Sequence, residues 1–218
     1  APAKINLSLL IADKRPDGYH NLETIMAKIA FYDELRFEKS KKEELEFTCD
    51  GLWSPEGKDN LVYKTAELFY KTIDKKPSIK IKLTKNIPAG SGLGGASSDA
   101  ATTLLALNKL HNKKLSEKLI YELSAELGSD VSFFLNGPLA LCTGRGEKVE
   151  KIDKKLSFTA LLLLPDINIS TKRVYETYSV DMAFFEEMQA KIREYILRDK
   201  MDLIRKMCVN MLAKTCFA

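Results

Sequence analysis

PAGSGLGGASSDAA, residues 88–101, is the stretch from which the rest of the chain is read. Gly90, Gly92, Gly94 and Gly95 accept positive φ and carry no Cβ, so consecutive backbone amides can turn toward one anion. Ser97, Ser98 and Asp99 then open a helix whose first free amides and dipole add to that attraction. The stretch reads as a phosphate-binding loop made of Pro88, Ala89, Gly90, Ser91, Gly92, Leu93, Gly94, Gly95, Ala96, Ser97 and Ser98. The bland alternative is a flexible glycine turn without a ligand. Against it, four glycines each cost backbone entropy without burying anything.

Two well-known nucleotide loops do not fit. A P-loop needs Lys and then Ser or Thr after its last glycine, and here Ala96 and Ser97 follow Gly95. Gly90, Gly92 and Gly95 satisfy the dinucleotide spacing GxGxxG. However, the strand before them alternates Ile79, Lys80, Ile81, Lys82, Leu83, whereas a central parallel strand is apolar on both faces.

Upstream of the loop, residues 2–11 and 23–37 read as strands joined by RPDGYH, with Pro16, Asp17 and Gly18 as turn formers. Residues 44–49 and 78–84 alternate polar and apolar, which suits antiparallel strands with one wet face. Between them Asn60 can cap a helix that carries Leu61, Leu68 and Phe69. Downstream, one helix runs from about Ser98 to Asn108 with Leu104, Leu105 and Leu107 inward. The next is bounded by Ser116 and by Gly128 in a left-handed closing turn, and delivers Ser129 and Asp130. Residues 138–142 and 158–165 read as strands, and 183–197 and 201–212 as amphipathic helices.

A chain of 218 residues, 45% hydrophobic and 29% charged, has the composition of a folded globule. The net charge of +4 is spread along the chain with no basic stripe, which argues against a nucleic-acid partner. Cys49, Cys142, Cys208 and Cys216 form no CxxC pair and have only His20 and His111 as imidazole neighbours, so a zinc site has little support. No apolar run reaches the ~20 residues of a membrane span, and nothing resembles a secretory signal. A globular protein of the reducing cytoplasm, with no membrane partner, is the expectation.

PxxxGLGGxSS resembles the phosphate loop of the superfamily of galactose, homoserine, mevalonate and phosphomevalonate kinases. With it stand APAKINL at 1–7, RPDGYH at 15–20, NLVYK at 60–64, GSDVSFF at 128–134, TGRGE at 143–147 and RVY at 173–175. In that order they resemble the 4-diphosphocytidyl-2-C-methylerythritol kinase family over most of the chain. The resemblance implies ATP as co-substrate, Mg2+, and transfer of the γ-phosphate to the 2-hydroxyl of the cytidyl-linked sugar alcohol. It places Lys4 and Asp130 beside that hydroxyl, the carboxylate as base and the ammonium as partner of the developing oxyanion. It sets His20 at the cytosine edge, Tyr19 and Tyr175 on the ring, and Asn6 near the diphosphocytidyl group or the loop. It implies no magnesium ligand and no oligomeric state.

Each residue also has an ordinary reading. Asp130 can cap the helix at Val131. Lys4 can snorkel from an apolar strand. Tyr175 can be core, with Tyr178 close by, and Asn6 can be satisfied by backbone. Rival functions are a sister kinase acting on another alcohol and a non-catalytic nucleotide-binding module.

The expected fold is α+β in two parts with the active site between them. Residues 1–150 form an N-terminal sheet-and-helix domain with the phosphate loop, and 151–218 an incomplete C-terminal substrate domain, with a soft boundary near Glu150. Incompleteness is expected because the family carries a second glycine-rich motif near its C-terminus, whereas all 11 glycines here lie at or before Gly146. We therefore expect that the sequence omits a segment, with an artificial break at Lys214–Thr215 before a strand-like tail, Thr215 to Ala218.

Overall fold

Alternation in residues 79–84 determines the architecture around the loop. The computed structural model describes residues 1–51, 54–55, 57–154, 156–164 and 171–216, without the side chains of 171, 172, 205–207, 214 and 216. Strands β1 (Pro2–Lys14), β2 (His20–Tyr32), β3 (Glu34–Lys39), β4 (Leu45–Asp50), β5 (Ile79–Thr84), β6 (Leu139–Gly144) and β7 (Lys148–Lys151) are interleaved with helices. These are α1 (Leu61–Thr72), α2 (Gly95–Leu110), α3 (Glu117–Leu127), α4 (Val131–Phe134), α5 (Thr171–Thr177), α6 (Met182–Leu197), α7 (Met201–Met207) and α8 (Ala213–Cys216). The α+β expectation holds. None of these helices is long and apolar enough to cross a membrane.

The chain divides into two compact units that interleave along the sequence: Ala1–Lys4 with Ile29–Leu135, and Ile5–Lys28 with Asn136–Ala218. The expected boundary near Glu150 differs from this division. β1 and β2 are long strands whose two ends serve different units, so cutting the chain once cannot separate them.

In the first unit the sheet order is β3-β5-β4. Ile79, Ile81 and Leu83 point to one face, where Val62, Ala66 and Phe69 of α1, Leu104 and Leu107 of α2, and Ile120 and Leu123 of α3 cover them. On the wet face Lys80 and Lys82 pair with Glu46 and Asp50 at 2.9 and 2.7 Å. β4 runs parallel to β5, not antiparallel as expected; β3 is the antiparallel neighbour. Strict alternation reports one buried face and is the same for both directions. The crossover from β4 to β5 through α1 is what makes them parallel.

Asn60 caps α1 as expected, its Oδ1 accepting from Val62 N at 2.9 Å. Ser116 caps α3, accepting from Leu119 N at 3.3 Å. Gly128 is extended, with φ 164°, and not left-handed; its amide donates to Ser124 O at 3.2 Å. α2 begins at Gly95, earlier than Ser98, and Leu105 is exposed while Leu104 and Leu107 are fully buried.

The second unit is built on β2, β6 and β7, antiparallel from Leu22↔Gly144 to Ala27↔Leu139 and from Thr143↔Lys148 to Ala140↔Lys151. Leu7, Leu10, Ile25, Leu139 and Leu141 pack against Phe185, Met188 and Ile192 of α6 and Ile204 of α7. The 158–165 strand does not form over residues 158–164, and Pro165 lies outside the described residues. Leu161 and Leu163 are 87% and 81% exposed, and among the described residues no strand pairs with them, so the backbone has no ladder to join.

Lys214 and Thr215, the expected junction, are consecutive residues of α8. Asn210 starts this turn, its side chain accepting from Leu212 N at 3.0 Å and its carbonyl from Ala213 N at 3.1 Å. Phe217 and Ala218 of the expected tail lie outside the described residues.

Candidate active site

Lys4 and Asp130 meet in the first unit. The Lys4 ammonium is 3.5 Å from Asp130 Oδ2, and Lys4 is only 6% exposed. A snorkelling lysine would have its head in water, and this one does not. Asp130 precedes α4 but makes no side-chain cap bond there, so the capping reading of this residue also fails. Its carboxylate remains available for the ion pair, while Phe133 and Phe134 bury the helix that follows it.

The phosphate loop packs directly on this pair. Lys4 N donates to Leu93 O at 2.8 Å, which adds the loop to the edge of β1. Gly94 has φ +70°, and a Cβ there would stand 2.9 Å from Lys4 Cγ and 3.0 Å from Phe134 Cζ. Only glycine permits both that backbone and that approach. Inside the loop, Ser91 Oγ donates to Pro88 O at 2.7 Å, closing its first turn. The loop feeds into α2, where Ser98 N already donates to Gly94 O at 2.9 Å, so the amides ahead of Ser98 are the free donors of the helix N-terminus. Ser98 Oγ is buried and, among the described residues, has no hydrogen-bond partner. A buried hydroxyl of that kind is a group a ligand can engage.

Beneath the loop lies a cluster that the sequence reading did not identify. Lys85 Nζ bonds Asp33 Oδ2 and, at 2.9 Å, Asp99 Oδ2. All three side chains are almost completely buried. Burial pushes the Asp99 carboxyl up to about 7, opposed by the charge and hydrogen bond of Lys85 and assisted by Asp33. The Lys85 ammonium is pulled down by burial, but the two carboxylates outweigh this and leave its pKa raised.

His20, Tyr175 and Tyr178 gather in the second unit. The His20 ring centroid is 5.9 Å from each tyrosine ring, tilted 36° to Tyr175 and nearly perpendicular, at 81°, to Tyr178. His20 Nδ1 lies 2.9 Å from Ala12 O. A carbonyl only accepts, so Nδ1 carries the hydrogen and, in the neutral ring, Nε2 keeps a lone pair. Tyr19 is 57% exposed, and the Arg145 guanidinium lies 5.1 Å over its ring. RPDGYH is a tight turn, with Arg15 bridging to Asp17 and Asn21. Asn6 Nδ2 donates to Thr24 Oγ1 at 2.7 Å, so its amide is engaged within the unit itself. Arg145 was not foreseen as a neighbour of the base-type residues, and Tyr178 was noted only as close to Tyr175.

Residues 60–138 match the model of the GHMP kinases N terminal domain. A 4-diphosphocytidyl-2-C-methyl-D-erythritol kinase of Macrococcus caseolyticus is 41% identical over 94% of this chain and 73% of its own length. The kinase of that name from Bacillus subtilis is 42% identical over 88% of the chain and 66% of its length. A crystal structure of 4-(cytidine 5'-diphospho)-2C-methyl-D-erythritol kinase superposes with a TM-score of 0.68 at 36% identity, over 82% of this chain and 63% of that one. Mevalonate pyrophosphate decarboxylase from Streptococcus pyogenes, at 14% identity and a TM-score of 0.67, shares the fold. The chain thus spans about two thirds of the length of these kinases. By this likeness, and with the glycine loop, Lys4 and Asp130 assembled in one unit, the chain belongs to the 4-diphosphocytidyl-2-C-methyl-D-erythritol kinase family of GHMP kinases.

Proposed function

We propose that this protein transfers the γ-phosphoryl group of ATP to the 2-hydroxyl of 4-diphosphocytidyl-2-C-methyl-D-erythritol, a step of isoprenoid-precursor synthesis. The observation that carries the reading is the contact of Lys4 with both partners at once: 3.5 Å to Asp130 and 2.8 Å, through its backbone, to the loop at Leu93. An alcohol is a weak nucleophile at neutral pH. Asp130 accepts its proton as the oxygen attacks the γ-phosphorus and the bond to the β-phosphate oxygen breaks, releasing ADP. The Lys4 ammonium, 3.5 Å from Asp130, offsets charge on the attacking oxygen. The loop amides and the start of α2 align the phosphates.

Mg2+ neutralises phosphate charge in such transfers. Among the described residues no group of three or more His, Cys, Asp or Glu side chains could hold a metal ion.

In the second unit, His20 Nε2 accepts from the exocyclic amine of cytosine while Tyr19 and Tyr175 cover the ring. Asn6, whose Nδ2 donates to Thr24 Oγ1, helps hold the diphosphocytidyl group or the loop geometry.

A coupled assay of ADP release from the full-length protein tests this, with the cytidyl substrate, mevalonate and homoserine offered separately. Turnover only with the cytidyl substrate is expected. Turnover with another alcohol, or none with any, contradicts the assignment.

A further inference from the structure

Asp33, Lys85 and Asp99 grip both sides of the phosphate loop. Asp33 sits between β2 and β3, and its Oδ1 accepts from the amides of Asn86 and Ile87 at 2.6 and 2.8 Å, immediately before Pro88. Its other oxygen holds Lys85. The same ammonium reaches 2.9 Å to Asp99 in the first turn of α2, immediately after the loop. It also lies under the loop's last glycine, since a Cβ on Gly95 would be 3.0 Å from Lys85 Nζ. One buried cation therefore joins the residues that lead into the loop to the helix that leads out of it.

A buried ion cluster is a costly way to gain stability, because apolar side chains of similar volume fill the same space without desolvating charge. What such a cluster does supply is fixed geometry: each bond has a set length, and a shift of the loop breaks at least one. An anion site made of backbone amides depends on that, since the amides act together only when they converge on one point.

We propose that Lys85, with Asp33 and Asp99, is the positioning device of the nucleotide site, holding the loop and the start of α2 at the spacing that the ATP phosphates require; this rests on the kinase reading above. Asp33 fixes the leading side, Asp99 the trailing side, and Lys85 joins them.

Lys85→Met leaves two buried carboxylates without a cation and risks the fold itself. Asp99→Ala leaves the Lys85–Asp33 pair intact and cuts only the trailing tie, so it carries the test. Full-length protein is titrated calorimetrically with ATP and Mg2+, and separately with 4-diphosphocytidyl-2-C-methyl-D-erythritol. ATP binding by Asp99→Ala should weaken by about tenfold or more, whereas affinity for the cytidyl substrate stays within about twofold. Asp99→Asn keeps an oxygen acceptor for Lys85 and should recover most of the loss. The proposal is overturned if Asp99→Ala binds ATP as the unsubstituted protein does, if it loses both ligands alike, or if Asp99→Asn is no better. If the unsubstituted protein itself binds no ATP, the kinase reading fails first and takes this one with it.

Discussion

The imidazole Nδ1 of His20 lies 2.9 Å from the carbonyl oxygen of Ala12, and this fixes which nitrogen is left to meet a ligand. His20→Ala should raise the KM for the cytidyl substrate far more than the KM for ATP. The loss of a neutral hydrogen bond with its unpaired partner corresponds to about 1–3 kcal/mol, roughly 5- to 150-fold. Steady-state kinetics with each substrate varied in turn reads the difference. Equal rises in both constants would show His20 to be a support of the fold.

Gly94 and Gly92 share a left-handed backbone, with φ +70° and +75°, but differ in surroundings. Gly92→Ala meets nothing within 4 Å, whereas Gly94→Ala places a methyl 2.9 Å from Lys4 Cγ. Both incur the left-handed penalty of about 1–2 kcal/mol. Gly94→Ala should lower Tm further and cut phosphoryl transfer more deeply, because it pushes Lys4 away from Asp130. Thermal melts and turnover of the two variants side by side check this; indistinguishable variants would remove the close approach from the account.

Asp99 gives stability a pH dependence of definite sign. Burial pushes its carboxyl up to about 7 in the fold against 3.8 for an aspartate in water, so between those values the folded chain holds a proton that the unfolded chain has released. Its contribution therefore favours folding at low pH, falls as pH rises from about 4 to about 7, and is level above. Asp99→Asn lacks this term, so its Tm relative to the unsubstituted protein should climb through that window and then stay constant. Parallel Tm curves across pH 4 to 8 would contradict the raised value.

The loop was legible because its chemistry is local: four glycines and a helix start within 88–101 are contiguous in sequence. Lys4 and Asp130 were legible only through family resemblance, since a lysine in a strand and an aspartate before a helix each have a commoner role. Asp33 was missed because it lies inside the apolar run of residues 23–37, read as one strand, and its partners at 85–87 are distant in sequence. The signal was present: a carboxylate within that run and a lysine just before the loop both need a reason to be there. Strand direction for β4 and the interleaved units depend on which strands pair, and periodicity does not carry that information.

Asp130→Asn tests the central claim most directly, since it keeps the side-chain shape and removes the base. ADP formation at saturating ATP and cytidyl substrate is measured on a preparation whose ATP affinity has been confirmed by titration. The account predicts ATP binding close to that of the unsubstituted protein and a kcat lower by ~10²-fold or more, the usual magnitude when general-base transfer is lost. Near-normal turnover by Asp130→Asn would contradict it.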